Sequence, residues 1–326
     1  MLSYLLVPPS RYLGAPLTPG NVRGTGIRRA RRRRRVTRDA SGLRVAHVIG
    51  TATSGGILAY VTTTANELAR QGCRVSVLGG GDQVRALLDE KVHWKPGLSF
   101  AQSTLYLTLG PRQHIVHSHG TLTSFPSIPA KLVRNTRIFT TYHVLSRRGT
   151  RPLGSAYQHI FERFLDQGIA VGHYAASQLA LPGLLVLPNG VPCRHRRKPP
   201  LNKTILLLQR LEPDKGAETA ITAFARSGVW NQGWNLRVVG DGSQRGWLED
   251  YARQLEVDAH ISFTGWSQDG LSELSMSDVL IAPSWQEALP LSPLEAMSLG
   301  VPVIASDVGG HRDILPSDDA GTFFHP

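Results

Sequence analysis

Short apolar runs alternate along this chain with longer amphipathic stretches, from residue 43 almost to the last residue. The runs are four to six residues long, which is typical of strands buried on both faces of a parallel sheet. In the first half they predict strands at 44–49, 74–78, 114–117, 137–141, 168–171 and 184–187. After the first strand, apolar residues at steps of three and four from Leu58 to Leu68 predict a helix.

The same pattern restarts beyond residues 188–201, whose proline, glycine and positive charge are typical of a linker. Strands are then predicted at 204–208, 235–239, 261–264, 278–282 and 301–305, with helices near 217–225 and 247–255. Strands that alternate with helices favour an α/β fold with parallel sheets. We therefore predict two Rossmann-like domains that face a central cleft, with these bounds: an arm at 1–42, a first domain at 43–188, a linker at 189–203 and a second domain at 204–326.

Two carboxylates lie eight positions apart in the second half. Glu287 follows a predicted strand, and therefore lies outside the carboxyl end of that strand, where open α/β sheets bind ligands. Ser292 is predicted to cap the next helix, with Glu295 three residues later as its reciprocal partner. On spacing alone, Glu295 fits either that capping role or a ligand contact, and Glu287 fits either a ligand contact or an exposed loop charge.

A basic element, Gln209 to Gly216, follows another buried strand and opens a helix. Arg210 and Lys215 within it would lie near a helix N-terminus, where positive charge and free backbone N–H groups suit a diphosphate. An exposed basic loop is the alternative. The later segment 240–242 (G-D-G) lacks the glycine spacing of a dinucleotide site and is interpreted as a turn that needs small residues.

The first half offers glycines and histidines at its strand ends. Gly55 and Gly56 lie between a strand and a helix, where they either form a tight turn or let the backbone approach a phosphate or sugar. His143 follows the strand at 137–141, with His119 as a second candidate. His117 and His119 alternate as metal ligands can, but no cysteine or carboxylate accompanies them, so no metal site is predicted.

The string E-A-L-P-L-S-P-L-E that begins at Glu287, with A-M-S-L-G-V-P-V-I-A-S after it, resembles the donor site of retaining glycosyltransferases of family 4. These enzymes have the two-domain GT-B fold. Arg210, Leu211, Lys215 and Gly216 match the family's G-R-L…K-G element, in which the first glycine is replaced here by glutamine. The resemblance extends over about residues 43–326 and is densest from residue 189, where P-N-G matches the family's turn into the second domain.

The resemblance implies sugar transfer from a nucleoside diphosphate sugar to an acceptor hydroxyl of a glycan, a lipid-linked compound or a small molecule, with retention at the anomeric carbon. It implies no metal and no other cofactor. The catalytic residues that it implies are Glu287, His143, Arg210 and Lys215. The donor-binding residues that it implies are Gly55, Gly56, Arg210, Lys215, Glu287, Leu291, Ser292 and Glu295.

Charge changes this picture only at the amino terminus. The net charge is +12, and most of it lies in the first 40 residues, which hold ten arginines and one acid, Asp39. The like charges in such an arginine-rich segment repel one another, so we expect the segment to be disordered. Three interpretations of residues 1–42 stay open: an upstream extension from a misassigned start, contact with an anionic membrane surface, or, less well, nonspecific binding of nucleic acid. No stretch of 18 apolar residues occurs, so we expect a cytoplasmic protein, at most peripheral to the inner face of a membrane.

The family pattern usually continues past the last predicted strand with another strand and helices, so we expect the second domain to be truncated. Three other functions stay open at this point. They are a noncatalytic nucleotide-sugar binding fragment, a GT-B sugar-nucleotide epimerase, and a nucleic-acid protein that depends on the arginine-rich arm.

Overall fold

A computed structural model of the protein describes residues 40–50, 55–96, 99–143, 161–179, 181–191, 202–267, 269–315 and 321–325. The predictions for the arginine-rich arm and for most of the linker lie outside the described residues. The proposed domain boundaries therefore stay predictions. None of the helices in the described ranges combines the length and the apolar character needed to cross a membrane.

The described first half forms a sheet with helices on its faces. Its strands are Arg44–Val48 (β1), Arg74–Leu78 (β2), His93–Lys95 (β3), Ile115–His119 (β4), Arg137–Tyr142 (β5), Gln167–Ala170 (β6) and Leu185–Val186 (β7). Its α-helices are Gly55–Arg70 (α1), Asp82–Leu87 (α2), Phe100–Leu109 (α3), Ile128–Arg134 (α4) and His173–Leu179 (α5), with a 3-10 helix at Leu122–Ser127. All strand pairs are parallel, in the order β3-β2-β1-β4-β5-β6-β7. As predicted, α1 buries the face that runs from Leu58 to Leu68.

The second half repeats the arrangement. Its strands are Thr204–Leu208 (β8), Asn235–Val239 (β9), Ile261–Gly265 (β10), Val279–Ala282 (β11), Val303–Ser306 (β12) and Gly321–Phe324 (β13). Its α-helices are Ala217–Ser227 (α6), Arg245–Gln254 (α7), Gly270–Ser275 (α8), Leu291–Ser298 (α9) and His311–Ile314 (α10), with 3-10 helices at Pro213–Lys215, Val229–Gln232 and Asp258–His260. These strands are also all parallel, in the order β10-β9-β8-β11-β12-β13. The two sheets confirm the α/β prediction of two Rossmann-like halves.

The predicted strands are confirmed, and their ends differ from the prediction by at most two residues. Two short edge strands were missed. The segment that forms β3 contains only Trp94 as an apolar residue, so its pattern gives no strand signal. The strand β13 pairs with β12 and extends the second sheet by one strand that the pattern did not predict. The expected truncation of the second domain stays a prediction.

The two halves share an apolar core, which fixes how they face each other. Val171, at the end of β6, packs in one buried cluster with Leu289 and Ile314 of the second half. Beside it, the backbone N–H of Tyr174 donates to Asp313 Oδ2 at 2.9 Å. These contacts hold the carboxyl end of β6 against the segments that follow β11 and β12.

Candidate active site between the two sheets

Each sheet has one point where its strand order reverses, and the candidate residues gather at these two points. The reversal lies between β1 and β4 in the first sheet and between β8 and β11 in the second. The chain leaves such neighbouring strands in opposite directions, which opens a crevice at their carboxyl ends. Gly56 lies after β1 and Leu291 after β11, and a Cβ on Gly56 would be 3.2 Å from Leu291 Cδ1. The two crevices therefore face each other.

The second crevice contains an ion pair between Lys215 and Glu287. Lys215 Nζ lies 2.7 Å from Glu287 Oε2, and each side chain is only 16% exposed. The other carboxylate oxygen of Glu287 accepts the backbone N–H of Ala288 at 3.1 Å. Charges with so little exposure are weakly screened by solvent. The pair thus places one cation and one carboxylate, already in contact, at the point where α/β sheets bind ligands.

The loop that carries Lys215 is held by close backbone contacts. Gln209 Nε2 donates to the carbonyl oxygen of Lys215 at 2.8 Å, so the glutamine that departs from the family pattern ties the two ends of this loop together. Gly216 has φ 66°, and a Cβ there would lie 2.2 Å from the carbonyl oxygen of Pro283. A Cβ on Gly240 would lie 1.8 Å from the carbonyl oxygen of Gln209. A Cβ on Gly242 would lie 2.4 Å from the carbonyl oxygen of Leu211, so close packing explains both glycines of this turn without any ligand.

The start of α9 differs from the prediction. Ser292 was expected to cap the helix, but the helix begins at Leu291, with Pro290 at the cap position and no side-chain cap. The Ser292 hydroxyl instead donates to the carbonyl oxygen of Leu208, the last residue of β8, at 2.9 Å. The predicted capping box with Glu295 is therefore wrong, because a tertiary acceptor takes the hydroxyl that the helix end would have used. Ser292 links α9 to the strand that precedes Arg210.

Not all of the predicted residues are brought together. Arg210 is exposed in the loop after β8, and within the described ranges it forms no salt bridge with Glu287. Glu295 lies partly buried within α9. Gly55, with φ 62°, begins α1, and Gly56 leaves room for Leu291.

The first crevice contains four histidine rings from three neighbouring strands. His47 Nδ1 lies 3.1 Å from His119 Nε2, and His119 Nδ1 lies 3.0 Å from His143 Nε2. The ring of His117 packs 4.5 Å from that of His119, and His117 Nε2 bonds Thr141 Oγ1 at 2.7 Å. Side chains at every second position of β4 point to the same face of the sheet, which brings His117 and His119 together with His47 of β1.

Burial keeps these rings neutral. It lowers the pKa of His47 and of His143 from 6.5 to about 4. It also lowers the pKa of His117 and His119 well below 6.5, and the neighbouring histidines lower both further. One nitrogen of each of His47, His117 and His119 lies within 4.8 Å of the others, a spacing that a metal ion could bridge. The absence of a metal site stays a prediction.

Three residues of these crevices were missed from the sequence. His47 looked like one more member of a buried strand, and only its pairing with β4 brings it to His119. Tyr60 lies within α1 and packs its ring 5.0 Å from that of His143. His311 is fully buried behind the ion pair. Burial lowers its pKa, and the hydrogen bond to the Ser306 carbonyl offsets only part of that effect.

Two family models match the chain and together span residues 54–326. The model described as Glycosyltransferase Family 4 matches residues 54–195, and the model described as Glycosyl transferases group 1 matches residues 194–326. The second match contains both Lys215 and Glu287. The chain therefore belongs to the family 4 glycosyltransferases, and its two facing Rossmann-like halves are those of the GT-B fold.

Individual proteins are also similar to this chain. The structure of Anabaena Alr3699/HepE in complex with UDP-glucose is similar to this chain with a TM-score of 0.75 and 17% identity, over 87% of this chain and 86% of that one. A glycogen synthase of Mycobacterium tuberculosis is 28% identical over 236 residues, which cover 66% of this chain and 57% of that protein. An exopolysaccharide phosphotransferase of Streptomyces coelicolor is 37% identical over 150 residues, 45% of this chain and 16% of that protein. The chain thus spans little more than half of the glycogen synthase and about a sixth of the phosphotransferase.

The buried histidines predict a loss of stability in mild acid. An unfolded histidine takes up a proton near pH 6.5, whereas the pKa of folded His47 is about 4. The unfolded state therefore binds more protons in this window, so stability is full above about pH 6.5 and falls as the pH drops towards 4. Between pH 7 and pH 5, one such ring lowers the free energy of unfolding by about 2 kcal/mol.

The melting temperature at pH 7 and pH 5 tests this expectation. His47→Gln, which removes one titrating ring, should lose several degrees less than the parent protein between the two pH values. The control is His93→Gln, because His93 is exposed on β3; it should lose as much as the parent. An equal loss in all three proteins would contradict the assignment of acid sensitivity to the buried ring.

Proposed function

We propose that this chain is a retaining glycosyltransferase that moves a sugar from a nucleoside diphosphate sugar to an acceptor hydroxyl. The observation that carries the proposal is the shielded pair of Lys215 and Glu287. It lies at the strand reversal of the second sheet and across from the start of α1. Membership of the family 4 glycosyltransferases supports the same reaction.

The donor diphosphate would bind through charge. Lys215 is neutralised by Glu287 in the structure, so a diphosphate must compete with one carboxylate for the same ammonium group. A diphosphate carries more negative charge and more acceptor oxygens than a carboxylate, and therefore wins that competition. Arg210, exposed in the same loop, adds a second cation. Glu287 is then released to accept hydrogen bonds from hydroxyls of the donor sugar.

The proposed reaction makes use of these positions. When the bond between the anomeric carbon and the phosphate oxygen breaks, negative charge grows on the diphosphate, and Lys215 and Arg210 stabilise it. The acceptor oxygen bonds the anomeric carbon on the face that the phosphate leaves, and its proton passes to the departing phosphate oxygen. The configuration is thereby retained. Glu287 acts through hydrogen bonds in this scheme, unlike the acid and nucleophile of a glycosidase.

The donor and the acceptor are proposed only by class. A UDP sugar is the first donor to test, because the similar Anabaena protein was solved in complex with UDP-glucose. The acceptor would be a glycan, a lipid-linked compound or a small molecule. Contact between the arginine-rich arm and an anionic membrane surface stays a prediction.

Removal of the Lys215 charge should weaken donor binding. Lys215→Gln takes away a charge-assisted hydrogen bond to the diphosphate, which contributes about 1.5–3 kcal/mol, so affinity should fall by about tenfold to a hundredfold. The matched control is Lys203→Gln, because Lys203 is exposed at the opposite end of β8 and bonds the Gln232 carbonyl. Calorimetry with UDP, GDP, ADP and dTDP sugars measures the effect.

Equal weakening by the two substitutions, or none by either, would contradict the proposed diphosphate site. Donor binding without any transfer to acceptors or to water would instead indicate a noncatalytic binding fragment. An epimerised nucleotide sugar formed without acceptor would indicate an epimerase.

Glu287 should affect turnover and binding in opposite directions. Glu287→Gln removes the anion that competes for Lys215, so UDP affinity should stay the same or rise. The transfer rate should fall by about a hundredfold, since an amide holds the sugar hydroxyls less well than a carboxylate. Calorimetry with UDP and a transfer assay measure the two effects. Parallel losses of UDP affinity and turnover would contradict the view that the carboxylate competes with the donor.

A further inference from the structure

A chain of hydrogen-bonded imidazoles leads from the interior of the first sheet to the cleft. It consists of His47, His119 and His143, and we call it the histidine chain. The distances between its bonded nitrogens are 3.1 Å and 3.0 Å. His47 and His119 are buried, whereas His143 is partly exposed just after β5. The family resemblance favours His143, with His119 as the second candidate for the same role, and it gives no role to His47.

The two bonds cannot be oriented independently. Each ring is neutral near pH 7, because burial lowers its pKa, and a neutral imidazole has one N–H and one lone pair. His119 uses both of its nitrogens, so it donates through one and accepts through the other. The N–H groups of the histidine chain therefore all point towards the cleft or all point away from it.

His47 Nε2 decides between these two directions. This atom is buried and has no hydrogen-bond partner among the described residues. If the N–H groups point inward, His47 must place its proton on Nε2, which leaves a buried donor without an acceptor. If they point towards the cleft, His47 holds its proton on Nδ1 and leaves only a bare lone pair. Among backbone groups, buried donors without partners are rarer than incompletely used acceptors, and we apply the same preference to the imidazole nitrogen.

We propose that His47 and His119 are positioning residues that hold His143 in the tautomer protonated on Nδ1. His47 Nδ1–H donates to His119 Nε2, and His119 Nδ1–H donates to His143 Nε2. His143 then has its own N–H on the nitrogen that the chain does not use. The ring thus presents a hydrogen-bond donor, fixed in direction, to an oxygen of the bound sugar. This last step rests on the proposed transferase function, whereas the tautomer does not.

The lack of a partner for His47 Nε2 among the described residues also argues against a metal ion between His47, His117 and His119. A metal held by His47 Nδ1 and His119 Nε2 needs lone pairs on both atoms, which again moves the His47 proton to Nε2. Histidines that bind metals almost always donate their other N–H to a partner, and His47 Nε2 has none among the described residues. The direct hydrogen bonds account for the geometry better.

Nitrogen NMR of histidine tautomers in the full-length protein tests the proposal without any substrate. At pH 7 the spectrum should show His143 and His47 protonated on Nδ1, and it should not change on addition of EDTA or of Zn²⁺. His143 protonated on Nε2, a mixture of its tautomers, or nitrogen shifts that respond to Zn²⁺ would overturn the proposal.

Two variants of His119 separate a positioning role from a merely structural one. His119→Gln keeps an amide N–H for His143 and an oxygen for His47, so it should keep the His143 tautomer. His119→Leu should release His143 into a mixture of tautomers. It should also lower kcat for donor hydrolysis by about tenfold, because one oriented hydrogen bond to the sugar, about 1.4 kcal/mol, is lost. If both variants keep the parent tautomer, the proposal fails. Thermal unfolding checks that each variant is folded. If His119→Leu does not fold, His47→Leu takes its place, because it should also release His143 into a mixture of tautomers.

The tautomer and the transferase function can fail separately. A correct tautomer in a protein that turns over no donor would contradict the proposed function and leave the positioning role intact. An active transferase in which His119→Leu and His119→Gln have equal kcat would contradict the positioning role alone.

Discussion

Parallel pairing of all the described strands determines where the candidate site lies. It sends all carboxyl ends of a sheet to one edge, and the reversed strand order opens a crevice at that edge. The shared core around Val171 and Leu289 then holds one such edge against the other. Residues far apart in the sequence, such as Gly56 and Leu291, meet for this reason.

The two crevices differ in charge, and the difference suits a donor with a charged diphosphate and a neutral sugar. The second sheet presents a charged pair, Lys215 with Glu287, that is shielded from solvent and can rearrange around a diphosphate. The first sheet presents neutral rings, which donate and accept hydrogen bonds without adding charge. A departing diphosphate needs positive charge, whereas a sugar needs oriented hydrogen bonds. The distribution of charge between the halves therefore agrees with the proposed roles.

The sequence was sufficient for the fold and placed several candidate residues at strand ends. Buried parallel strands are nearly continuous apolar runs, so among the described residues the pattern located eleven strands and missed β3 and β13 at sheet edges. The pattern put Lys215 and Glu287 each beyond the end of a strand but did not predict their contact. The role of Ser292 was not predictable, because its acceptor is a carbonyl 84 residues away. The same holds for His47, which only strand pairing brings to His119.

Hydrogen–deuterium exchange with and without UDP tests whether one donor site is formed by both sheets. We expect slower exchange on UDP binding in two separate segments, the start of α1 at Gly55 and Gly56 and the segment from Glu287 to Ser292. Protection should be reduced in Lys215→Gln at a UDP concentration that only just saturates the parent protein. Protection confined to one sheet, or no protection at saturating UDP, would contradict a donor site formed by both sheets.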